Sequence, residues 1–120
     1  DNQLASVVIP SSVTLIGEGA FRNNQLTRVE IPNSVTFIDS GTFAHNRLTS
    51  VVIPNSIEYI NAEAFSFNQL THIFLPNSVN YLCSWAFKKN RLTSVVVRNP
   101  ELLPDPEAFD SGVRVMRSAR

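Results

Sequence analysis

The chain repeats one phrase in strict register. Asn-Gln-Leu or Asn-Arg-Leu recurs at Asn2, Asn24, Asn46, Asn68 and Asn90, so five successive units share a length of 22 residues with no insertion between them. A constant period of this size selects a solenoid, in which each unit is one coil stacked on the next and no unit buries its apolar face alone. Three sets of columns carry the register. Leu4, Leu26, Leu48, Leu70 and Leu92 are each followed by a branched residue three positions on, from Val7 to Val95, and another at five, from Ile9 to Val97. Val13, Val35, Ile57 and Val79 pair with Ile16, Ile38, Ile60 and Leu82. The third set is the aromatic column Phe21, Phe43, Phe65, Phe87 and Phe109.

Each unit predicts its own local structure. Segments such as "LTSVVIP" end in alternating β-branched residues and read as a short strand. Pro10, Pro32, Pro54 and Pro76 lack an N–H and stop pairing at the same level of each coil. Identical crossovers make the strands parallel, with a coil spacing of ~4.8 Å and a stack roughly 20–25 Å long. Segments such as "NSVTFI" are expected to turn the edge as turn or 3₁₀ structure, and the Ala-Phe segment to form a helical turn on the back. The expected class is an α/β solenoid with parallel strands on one face and turns, 3₁₀ or short helical segments on the other. The phenylalanines then form a spine through the interior. The asparagine that opens each unit is expected to take a left-handed turn conformation and to bond its neighbour in a repeating ladder.

Composition bounds the partners. Apolar residues make up 43% of 120 residues, enough for a core, and ten basic side chains balance ten acidic ones. No net field draws in nucleic acid or an anionic membrane, although a local patch is compatible with the balance. The lone Cys83 forms no internal disulfide. No apolar run approaches the roughly 20 residues of a membrane span. The start, "DNQLAS", has neither an initiator Met nor a signal-peptide pattern, and reads as the start of a mature or excised piece.

The order L-x-x-V-x-I-P-x-S-V-x-x-I-x-x-x-A-F-x-x-N resembles the BspA-like class of leucine-rich repeats, closely over residues 2–97 and loosely over 98–111. The resemblance implies a secreted or cell-surface array that recognises proteins, with adhesion to host, matrix or neighbouring-cell proteins as its recurrent role. The label names no ligand, because one fold hosts many functions.

The fifth unit departs from the pattern. Arg98 stands for the strand-ending proline, Pro100 for the serine, and Glu101 and Pro104 for two core residues, before Ala108-Phe109 returns in register. Residues 1–97 therefore read as four regular repeats and 98–120 as a divergent fifth repeat with a C-terminal cap. In it, Val113 to Met116 form one more strand, whose Arg114, Arg117 and Arg120 discourage further pairing. Leu4 already stands in register, so the N-terminal coil shows no equivalent cap. Either a preceding segment covers it, or it docks on another copy.

Parity along the strands separates core from surface. The outward columns are Ser6, Arg28, Ser50, His72, Ser94 and Val8, Glu30, Val52, Phe74, Val96, bordered by Thr27, Thr49, Thr71 and Thr93. Arg28, Glu30, Val52, His72, Phe74 and Val96 are the candidate binding residues. Outward valines often serve β-propensity alone, whereas Phe74 adds an exposed aromatic of the kind that marks interaction sites. Arg28 and Glu30 are expected to form a solvated ion pair.

Catalysis finds no foothold. His45 and His72 lie in different columns and do not make a metal pair by spacing. Cys83 occupies a turn column and reads as a bystander, the serines are a repeated column, and no glycine-rich phosphate loop exists. Trp85 is expected to cover the spine. The chain is expected to be a non-enzymatic binding module with no cofactor, no metal, no nucleic-acid partner and no membrane insertion. Two rival readings are a spacer that self-associates through its N-terminal coil, and the recognition arm of an enzyme whose catalytic domain lies elsewhere.

Overall fold

The computed structural model describes residues 5–117. It is a solenoid with eight short strands among those residues: β1 (Ser6–Val8), β2 (Arg28–Glu30), β3 (Phe37–Ile38), β4 (Tyr59–Ile60), β5 (His72–Leu75), β6 (Tyr81–Leu82), β7 (Ser94–Val97) and β8 (Arg114–Arg117). Every pairing is parallel, and Ser6 opposite Arg28, Phe37 opposite Tyr59 and His72 opposite Ser94 each stand one 22-residue period apart. The places expected for Asn2, Leu4 and Arg120 lie outside the described residues.

The interior follows the columns. Phe43, Phe65 and Phe87 are fully buried, and the five phenylalanines stack in sequence with ring centroids 5.6, 5.3, 5.2 and 5.8 Å apart. Each such burial stabilises the fold by about 1.5–3 kcal/mol relative to exposure. The asparagine ladder is also present. The Asn68 amide donates to the Phe43 and Phe65 carbonyls, both at 3.0 Å, while its Oδ1 accepts the Leu48 N–H at 2.9 Å. Asn46 and Asn90 repeat the clasp one coil before and one coil after.

The left-handed residue is not the laddered asparagine but the one before it: Asn23, His45, Phe67 and Lys89 all have φ near +60°. The asparagine keeps its amide turned inward while its neighbour makes the bend. A second left-handed column comprises Gly19, Gly41, Glu63 and Trp85. It explains why no helix forms among the described residues. Backbone N–H groups alternate on the back: Ala20 and Arg22 donate within their own coil to Gly17 and Gly19, whereas Gly19, Phe21 and Asn23 donate to Ser40, Thr42 and Ala44 of the next coil. A helix would need every donor for itself.

Two further differences concern the strands. The "NSVTFI" segment makes its turn, with the Val35 N–H on the Pro32 carbonyl, and then continues into a second parallel ladder, β3–β4–β6, that the turn assignment missed. On the opposite face Ser50–Ile53 of the third coil adds no strand, so the expected continuous sheet is divided into β1–β2 and β5–β7–β8.

The fifth coil substitutes one set of bonds for another. In the second and third coils a serine hydroxyl donates to the preceding coil, as Ser56 does to Val35 O at 2.7 Å. Where Pro100 has no such group, the Asn99 amide donates to Val79 O at 3.0 Å. The turn comes one residue late, from the Asn99 carbonyl to the Leu102 N–H, so Leu102 becomes the buried residue instead of Glu101. β8 pairs with β7 with Arg114 opposite Ser94, two residues short of the period, which keeps the inward parity. Arg117 then donates to the carbonyls of Asn99 and Leu102 at 3.2 and 2.8 Å.

Candidate binding face

Alternation on the strands positions the candidate residues. Arg28 and Glu30 flank buried Val29 on β2, and His72 and Phe74 alternate with buried Ile73 and Leu75 on β5. Val96 is partly exposed on β7, and Val52 stands out from the unpaired segment of the third coil. Val52 is 81% exposed and Phe74 46%, with Val8 at 80% further along the same column. Ser6, Val8, Arg28, Glu30, Ser50 and Val52 line a shallow depression of about 280 Å³ where β2 faces the third coil. The six candidates thus share one face, but the depression gathers only Arg28, Glu30 and Val52, leaving His72, Phe74 and Val96 on the other sheet.

The expected ion pair between Arg28 and Glu30 does not form. Among the described residues the ion pairs are Arg22–Glu63 at 3.8 Å and Lys88–Glu107 at 2.6 Å, both on the back. Side chains two apart on a strand both stand away from the sheet rather than toward each other. Both charges are left free for other contacts.

A second exposed column escaped the sequence reading. Leu15, Phe37, Tyr59, Tyr81 and Leu103 succeed one another along the β3–β4–β6 edge, with Tyr81 66% and Leu103 83% exposed. Phe37 and Tyr59 stack at 5.1 Å and 12°, so this column presents ring edges rather than faces. The signal was the aromatic at the same position of "VTFI", "IEYI" and "VNYL".

The described residues hold no group of three or more His, Cys, Asp or Glu side chains able to share a metal. Cys83 is partly buried, its thiol 3.8 Å from Asn61 Oδ1, and Trp85 packs on Phe67 with Lys88 Nζ 5.3 Å above its ring. His45 stacks on Phe67 at 4.3 Å, whereas His72 stands on β5.

Comparison with known proteins agrees with this geometry. Similar solved structures include a leucine-rich repeat protein from Eubacterium ventriosum (TM-score 0.81, 18% identity, covering 97% of this chain and 32% of that one). The pneumococcal vaccine antigen PcpA superposes with a TM-score of 0.76 at 20% identity over 98% of this chain and 31% of PcpA. A leucine-rich repeat protein from Bacteroides ovatus gives 0.68 and 23% over 93% and 42%. The chain therefore spans about a third of the first two and less than half of the third. Comparison with curated protein sequences gives no match. The profile of the BspA type leucine-rich repeat region matches six copies across residues 1–111, and the chain belongs to that family.

Proposed function

We propose that the chain is a non-catalytic protein-binding module whose strand face meets a protein ligand through Arg28, Glu30, Val52, His72, Phe74 and Val96. The observation that carries this reading is the exposure of Val52 and Phe74 on neighbouring coils of a scaffold pinned from inside by the phenylalanine stack. Exposed apolar side chains held at fixed spacing order little on binding, so little conformational entropy is lost. The parent protein is secreted or displayed at the cell surface, where it adheres to host, matrix or neighbouring-cell proteins; likeness to a vaccine antigen fits that placement. Residues 1–97 are the repeat array and residues 98–120 its divergent last unit, in which the Asn99 amide donates to the Val79 carbonyl and Arg117 to those of Asn99 and Leu102.

The test is surface binding to a panel of extracellular-matrix and serum proteins, with a Val52→Ser/Phe74→Ala variant beside the native chain. Binding that the variant loses, at unchanged melting temperature, supports the strand face. Equal binding by both chains sends the contact elsewhere on the coil.

A further inference from the structure

The ten acidic and ten basic side chains cancel in the sum but are segregated around the coil. Residues 23–29, 45–51, 67–73, 89–95 and 111–115 lead into the strand face of successive coils. They carry Arg28, Arg47, Lys89, Arg91, Arg114 and both histidines, and not one Asp or Glu. Arg28, Arg47, Arg91 and Arg114 are exposed, and none of the four guanidinium groups has a hydrogen-bond or ion-pair partner among the described residues. Of the other cations, Arg22 and Lys88 pair with glutamates and Arg117 bonds backbone carbonyls, while Arg98 is exposed beyond the strand of the fifth coil. Acids border these segments in the sequence at Glu30, two residues beyond Arg28, and at Asp110, whose carboxylate accepts the backbone N–H groups of Lys89 and Asn90.

The periodicity turns these charges into a staggered row. Arg28, Arg47, His72, Arg91 and Arg114 supply one basic side chain per coil in two columns, Arg47 and Arg91 in one and Arg28, His72 and Arg114 three residues further along the coil in the other, so at a coil spacing of about 4.8 Å the row extends roughly 20 Å along the solenoid. Arg47 and Arg91 stand two coils, or roughly 10 Å, apart, too far to converge on a single small anion. Between the basic side chains runs a column of exposed hydroxyls, Thr27, Thr49, Thr71 and Thr93, of which only Thr71 has a partner among the described residues, the His72 ring at 3.3 Å. Phe67, the one phenyl ring in these segments, is already stacked with His45, and the exposed Phe74 ring just beyond them stands on a single coil, so no run of phenyl faces follows the charges for successive bases.

We propose that this leading edge of the coils binds a linear anionic polysaccharide laid along the solenoid axis. The arginines take its sulfate or carboxylate groups and the threonines its hydroxyls. The site shares Arg28 and His72 with the protein-binding reading but is tested apart from it, because Arg47, Arg91 and Arg114 take no part in that reading and Val52 and Phe74 take none in this one.

The probe is a heparin fragment, titrated against the 120-residue chain over a range of salt concentrations. The native chain binds with an affinity that falls as salt rises. An Arg47→Ala/Arg91→Ala/Arg114→Ala variant loses about tenfold or more, and its slope of log affinity against log salt shrinks by about 2–3. Arg98→Ala, which removes an exposed arginine outside the row, and Val52→Ser/Phe74→Ala both bind as the native chain does. The melting temperature of the triple variant stays at the native value, since the removed groups have no partners. Absence of native binding at low salt, or a triple variant that binds unchanged, overturns the proposal. Equally tight binding of an oligothymidylate of matched charge overturns the polysaccharide assignment, because the edge then reads charge alone.

Discussion

The interior of this solenoid and its strand face keep the same period but not the same continuity. Inside, the phenylalanine stack passes every coil from Phe21 to Phe109, and the asparagine clasp recurs at Asn46, Asn68 and Asn90. Outside, the ladder stops at the third coil, although Ser50–Ile53 has the same four residues, Ser-Val-Val-Ile, as Ser6–Ile9, whose first three residues pair as β1. Two identical segments in different states show that strand pairing here is not fixed by the local residues. Cohesion belongs to the buried columns, and the strand face is a surface they hold up.

That contrast gives a graded set of expectations. Phe65→Ala removes the middle of the stack and should cost roughly 3–5 kcal/mol, read by denaturant unfolding. A smaller loss would mean that the stack is ornament and the ladders bear the stability. Asn68→Ala strips one coil-to-coil clasp and leaves the Leu48 N–H buried without its acceptor, a loss of about 2–3 kcal/mol in the same assay. Ser56→Ala should cost about 1 kcal/mol, against nearly nothing for Ser78→Ala, whose buried hydroxyl has no partner. Equal costs for the two serines would place a bond at Ser78 after all. Phe74→Ala should shift stability by less than about 0.5 kcal/mol. Hydrogen exchange sharpens the comparison further. The Val51 and Val52 amides should exchange at least about tenfold faster than those of Val95 and Val96, and equal protection would mean that the ladder closes across the third coil in solution.

The sequence made the solenoid, its parallel pairing, the phenylalanine spine and the inward asparagine amides legible, because each is one residue type repeated at one spacing. It hid whatever depends on how coils share hydrogen bonds. The back of each coil reads as helical when Ala and Phe are judged alone, yet Glu63 and Trp85 adopt the left-handed conformation that Gly19 and Gly41 adopt freely, and alternate N–H groups reach to the next coil. The fifth coil was misread in a similar way. Glu101 and Pro104 looked like losses from the core, whereas a turn delayed by one residue brings Leu102 in. On the candidate face the outward parity was readable. The unpaired third coil, the missing Arg28–Glu30 contact and the second exposed column through Tyr59 and Tyr81 were not, since each is set by neighbouring coils rather than by the residue itself.

The asparagine clasp also limits how such a chain can change in length. Each amide bonds backbone from its own coil and the one before, at the same three atoms every time. Inserting or deleting a whole 22-residue period leaves every amide facing an equivalent set of partners, whereas any other change strands one. The array can therefore grow or shrink by duplication and loss of complete units without redesigning its interior, so that reach becomes an inherited variable while the fold stays constant.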